Sequence, residues 1–169
     1  MTEIETNPRG DVGPPSLNTD EKTTLIAFLD YLREALIVKT YGLSDGEAAA
    51  PAVPSGTSLL WLIKHMIAVE LNWFEWAYDG ADVPLLDDEA RVGPKETAAD
   101  LVAQYRDAVV RANAIIADCD DLDRPGKRSL RSDPAPSMRW LLVHMIEETA
   151  RHAGHADILR EQIDGATGR

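Results

Sequence analysis

The chain has 169 residues, 44% hydrophobic and 27% charged, with 17 Lys+Arg against 29 Asp+Glu and a net charge of −12. That length supports one domain with a sizeable core and excludes two ordinary ones, and no apolar run reaches the roughly 18 residues a membrane span requires. So acidic a body is repelled by phosphate backbones, which sets nucleic acid aside as a partner.

Residues 1–17 hold Pro8, Pro14, Pro15, Gly10 and Gly13 with few large apolar groups. They cannot bury enough surface to offset the entropy of ordering, so a flexible arm is expected ahead of a domain spanning 18–169. The arm has no basic start followed by an apolar stretch, and the expected compartment is the cytoplasm. A first helix is predicted over about 19–41, capped by Asn18 or Thr19, with Asp20 and Glu21 in its first turn and Leu25, Leu29, Leu32 and Ile37 recurring until Gly42. Thr57 or Ser58 then caps a strongly apolar second helix from Leu59 to Tyr78, stopped by Asp79 and Gly80. Residues 79–94 carry two prolines, two glycines and no sustained period, and are predicted as a loop.

Thr97 opens a third helix that keeps Leu101, Tyr105, Ala108, Ala112 and Ile116 on one face as far as about Asp118. A second long loop, 119–136, contains Pro125, Gly126, Pro134 and Pro136. Ser137 caps the fourth helix, in which Leu141, Leu142, Met145, Thr149, His152, Ala156 and Leu159 recur up to Gly165. Nothing alternates as a strand would, so the pattern is that of an all-α protein, a four-helix bundle with long connections.

All four histidines, His65, His144, His152 and His155, fall on predicted helices. His144, Glu148 and His152 stand at i, i+4 and i+8 and share a face. His144 and His152 are about 12 Å apart along the axis, whereas ligands of one ion must each reach within about 2.3 Å of it. One helix therefore supplies at most two adjacent members of the stripe. A third ligand must come from elsewhere, and His65 is the remaining histidine. Against this stands the plain alternative of buried histidines that satisfy core hydrogen bonds and an exposed Glu148.

The single cysteine, Cys119, cannot form an internal disulfide, and its neighbours Asp118, Asp120 and Asp121 disfavour a thiolate. No protein nucleophile is assigned. Trp61, Trp73, Trp76 and Trp140 lie on the two histidine-bearing helices as core or pocket residues, with Trp61 one turn before His65. Arg124, Lys127, Arg128 and Arg131 form a basic cluster in the loop before the fourth helix, read either as a solvated loop or as an attractor for a carboxylate-bearing substrate.

The helix order, LIKHMIAVELNWF in the second helix and EETARHAGHADILRE in the fourth resemble the DinB-like metalloproteins, whose last helix reads approximately H-x-x-x-H-x-G-Q. The resemblance covers nearly the whole chain after the arm and implies a DinB-like four-helix bundle. Aligned on Gly154, His152 takes the last metal histidine, Glu148 replaces the one a turn earlier, and His155 stands where Gln is usual. The carboxylate variant is similar to the mycothiol-dependent maleylpyruvate isomerase and thiol S-transferase branch, whose metal is held by two His and one Glu. The implied ligands are His65, Glu148 and His152, with His144, His155 and Trp61 around the ligands or at the pocket. The implied cofactor is one divalent metal ion, zinc first, though such a donor set also accepts nickel, iron or manganese.

The resemblance further implies a metal-dependent transferase or isomerase in which a small external thiol, mycothiol foremost, meets an electrophilic substrate. Two readings stand beside it. One is a metal-dependent hydrolase; the other is a non-enzymatic, stress-related metal-binding bundle, as a monomer or a homodimer.

Overall fold

In the computed structural model, which describes residues 12–16, 18–131 and 133–168, regular structure is helical apart from isolated bridge residues, among them Pro125 paired with Ser137. Most of the expected arm lies outside the described residues. Helix α1 spans Glu21–Val38, α2 Asp45–Ala49, α3 Leu59–Leu71, α4 Ala98–Ala117 and α5 Met138–Asp164. The all-α architecture with long connections is thus as expected.

Local chemistry sets the boundaries. Asp20, placed in the first turn by the sequence reading, is instead the N-cap of α1; its carboxylate accepts from the Thr23 N–H at 3.0 Å and satisfies one of the free donors there. Ser58, Thr97 and Ser137 cap α3, α4 and α5 in the same way, each bonding the N–H three residues on. The short α2 was not anticipated. Its signal is a capping box, in which Ser44 and Glu47 each bond the other's backbone N–H.

The predicted second helix is continuous to Asp79, but its last eight residues, Asn72–Asp79, wind as a π-helix that ends at Gly80 with φ +75°. The loop before α5 closes this end. Arg128 donates to the carbonyls of Gly80 and Ala81 at 3.0 and 3.1 Å, and its guanidinium lies 4.9 Å from the Trp76 ring centroid. The Arg128 and Lys127 N–H groups bond the Ala77 and Tyr78 carbonyls. In this way the wider turn has its end carbonyls satisfied by the next loop.

Helix α1 packs chiefly on α5 and α3 chiefly on α4, with α3 also against α5. The core between them includes Leu29, Leu36, Leu62, Met66, Phe74, Leu101, Ile116, Leu141, Leu142 and Met145. One ion pair is built into it: Arg33 of α1 grips Glu70 of α3 through two bonds of 2.6 and 2.7 Å, with both side chains buried. The pairing of α3 with α5 positions the histidines.

A candidate metal centre between α3 and α5

His65 lies two turns into α3, 8% exposed, with Trp61 stacked on its ring at 5.1 Å and 18°. Its Nδ1 is 2.8 Å from the Asp88 carbonyl. A carbonyl only accepts, so Nδ1 carries a proton, and the tautomer this selects has its lone pair at Nε2. That buried Nε2 has no hydrogen-bond partner among the described residues. It lies 3.5 Å from Glu148 Oε1. Both atoms are acceptors, and neither satisfies the other.

Glu148 and His152 project from successive turns of α5, with His152 Nε2 3.0 Å from the same Oε1. The rings of His65 and His152 meet edge-on at 4.7 Å. One donor atom from each of the three residues lies within 4.8 Å of the others. Tetrahedral bonds of about 2.05 Å separate ligand atoms by about 3.4 Å, so the 3.0 and 3.5 Å spacings fit one shared cation. The buried Nε2 lone pair facing a carboxylate is the arrangement such a cation satisfies.

The local electrostatics keep the donors ready. Burial, then the neighbouring His65, push the His152 ring below its ordinary value and favour its neutral form. Burial works to raise Glu148, but the hydrogen bond and charge of His152, with the charge of Arg151, outweigh it and hold the carboxyl below its ordinary value. His155 is exposed and places its Nδ1 3.4 Å from His152 Nδ1, the ring nitrogen turned away from Glu148.

Two clamps hold the Asp88 carbonyl in place. Asn72 donates to the Leu86 carbonyl and accepts from the Leu86 N–H, both at 2.9 Å. On the far side Lys64 bonds the Arg91 carbonyl at 2.8 Å and the Glu96 carboxylate at 2.7 Å. Sequence reasoning missed Asn72, Asp88, Lys64 and Glu96. A polar Asn inside an apolar helix was the available signal; a backbone carbonyl gives none.

His144 does not join the three. It is sandwiched by Trp140, stacked at 4.9 Å and 24°, and by Trp73, edge-on at 4.9 Å. Burial lowers its tendency to protonate. Cys119 is buried, its Sγ 3.2 Å from Tyr78 Oη and 3.1 Å from the Asp121 carbonyl. Within the basic loop cluster, Arg124 bonds Asp120 and Arg128 bonds carbonyls, while Arg131 lies over Trp140 at 5.6 Å. One cavity, of about 430 Å³, lies beside Trp61, Glu89 and Arg91, and another, of about 390 Å³, beside Trp73, Trp140, Arg131 and Asp133.

Comparison with known proteins follows the same line. The family model described as mycothiol S-transferase matches residues 24–165. Among curated proteins none matches. A crystal structure of a conserved protein from Enterococcus faecalis, 17% identical, superposes with a TM-score of 0.62 over 88% of this chain and 100% of its own, which shows a shared fold.

Proposed function

The chain belongs to the mycothiol S-transferase family, a DinB-like family, and from that premise we propose that it joins the sulfur of mycothiol to a small electrophile at a divalent metal ion held by His65, Glu148 and His152. The observation that carries this reading is the buried, unpartnered His65 Nε2 aimed at Glu148 Oε1. Two neutral imidazoles and one carboxylate leave a divalent ion with net positive charge and room for an exogenous ligand. When bound, the ion supplies one thing, a charge that favours thiolate over thiol near neutral pH. Zinc suits the donor set first.

The rest of the work falls to this chain's own groups. The Asp88 carbonyl holds the proton on His65 Nδ1 and so keeps Nε2 a donor atom. Trp61, stacked on His65, shields that face from water. His155 Nδ1 is placed to fix the orientation of the His152 ring. In the reaction the thiol gives up its proton to solvent, a sulfur–carbon bond forms, and the electrophile's leaving group or π pair takes the displaced electrons. The sulfur comes from outside the protein, since Cys119 is buried away from these residues.

Protein purified without a histidine tag is analysed for metal, then supplied with mycothiol and a panel of electrophiles. Close to one ion per chain and thiol consumption are expected. His152→Ala loses both, and Cys119→Ala keeps both. Metal-loaded wild type that neither binds nor consumes mycothiol would overturn the transferase reading in favour of a metal-binding bundle without this activity.

A further inference from the structure

Resting on the mycothiol reading, we infer that the cavity floored by Trp73 and Trp140 and rimmed by Arg131 and Asp133 is the subsite for the hydroxyl-rich ring end of the thiol, two helical turns from the metal ligands. The first observation is charge. In a chain of net charge −12, Arg33, Arg106, Arg111, Arg124, Arg139, Arg151 and Arg160 are each paired with a carboxylate and Arg128 with carbonyls. Among the described residues the side chains of Arg91 and Arg131 have no carboxylate partner; the Arg131 guanidinium lies over the Trp140 ring, 5.6 Å away, and its backbone N–H bonds Ser129 Oγ. An exposed guanidinium resting on an indole, with no carboxylate to hold it, can swing to a ligand taking its place.

The second observation is the mixture of groups around a cavity of about 390 Å³: two indoles and the rings of Pro134 and Pro136 beside the Arg131 guanidinium, the Asp133 carboxylate and the hydroxyls of Ser129 and Ser137, each of which already accepts one backbone N–H. An anion would be repelled by Asp133 and a cation by Arg131, while a purely apolar group would leave both without partners. A polyhydroxylated saturated ring meets all of them. Its hydroxyls donate to Asp133 and accept from Arg131, and its weakly positive C–H faces lie on the electron-rich indole.

The third observation is distance. Trp140, His144, Glu148 and His152 follow one another at four-residue steps on α5, so Trp140 is about 12 Å along the axis from Glu148. His144, sandwiched between the indoles, continues the row toward the ligands. A small electrophile in this cavity would be out of reach of a sulfur at the metal ligands. The far end of an elongated thiol would not, and mycothiol carries its cysteinyl thiol on a glucosaminyl-inositol of about that length. Binding energy gathered there would orient the sulfur without touching the reacting atoms.

The test compares mycothiol with N-acetylcysteine, which has the thiol but no sugar, on metal-loaded full-length protein by calorimetry, and follows glucosaminyl-inositol alone by tryptophan fluorescence. Wild type should prefer mycothiol, and the thiol-free fragment should perturb the fluorescence saturably. Trp140→Leu and Arg131→Gln should each cut the preference for mycothiol over N-acetylcysteine tenfold or more, raising KM for mycothiol more than they lower kcat. Trp140 is 41% exposed, so its loss leaves the core intact; Arg131→Gln, on a loop, gives a second variant free of folding effects. If wild type binds mycothiol and both variants keep the wild-type preference, this subsite is refuted while the transferase reading stands. If wild type binds no mycothiol, both fall.

Discussion

Asn72 governs the candidate centre without belonging to it. Its amide holds the Leu86 backbone by two bonds of 2.9 Å, and Leu86 is two residues from the carbonyl that fixes the His65 proton. Asn72→Ala removes both bonds that hold the exposed Leu86 backbone, an expected loss of about 1–2 kcal/mol in urea unfolding. Loosening a group that orients a ligand typically lowers metal affinity 10- to 100-fold, and chelator competition should show a drop of that order. The meeting of His65 with the α5 stripe was legible, because one helix supplies at most two adjacent members of that stripe; the choice of Glu148 and His152 over His144 came from the DinB-like resemblance. Asn72 and Asp88 were not legible, since their role depends on where a loop folds back.

The loop of residues 80–97 is an element whose hold on α3 depends on a titrating group. The hydrogen bond from Lys64, then the Gly93 N–H, hold the Glu96 carboxyl below its ordinary value. A carboxyl depressed in the folded state stabilises above its unfolded pKa, and that contribution is lost as pH falls through the folded value. Amide exchange in residues 80–97 should therefore rise selectively below about pH 4 relative to the core of α4. Glu96→Gln should show the faster exchange already at pH 7. At the C-terminal end of the π-helix, Gly126 sits so close that an added Cβ would lie 2.8 Å from Tyr78 Cα. That neighbour is backbone and cannot give way cheaply, so Gly126→Ala should cost about 1–3 kcal/mol in thermal unfolding. Helix ends were readable because caps and glycines act locally: Ser58, Thr97, Ser137 and Gly165 all mark real boundaries. The change from α to π winding at Asn72 was not, because the satisfied carbonyls at its end depend on Arg128, 48 residues from Gly80.

At the scale of the whole molecule, the Arg33–Glu70 pair is the polar register mark between α1 and α3. Its partners also include Asp30 and Asn113, each 2.8 Å from the Arg33 guanidinium, which brings α4 into the same junction. Burial raises Glu70's tendency to hold a proton, and Arg33 opposes it. Glu70→Ala strands a buried guanidinium, and a loss of about 3–5 kcal/mol is expected by urea unfolding. The double change Arg33→Met with Glu70→Leu should recover most of that loss, since well-packed apolar side chains often replace such a pair without penalty. The all-α architecture followed from periodicity alone. The buried pair did not, because a charge on a helix gives no sign in sequence of the element it will face.

The use of a peptide carbonyl to orient His65 has a consequence for inheritance. A contact made by the backbone at residue 88 survives any side chain placed there, so Asp88→Ala and Asp88→Ser should retain metal at wild-type stoichiometry. Removing one residue between Leu86 and Arg91 should not, because it shifts which carbonyl meets Nδ1 while both clamps stay anchored. Deep mutational scanning with metal retention as the readout should find this stretch permissive to replacement and intolerant of length change. What descends unchanged through such a lineage is the spacing of the loop, a trait that single-column sequence comparison does not register.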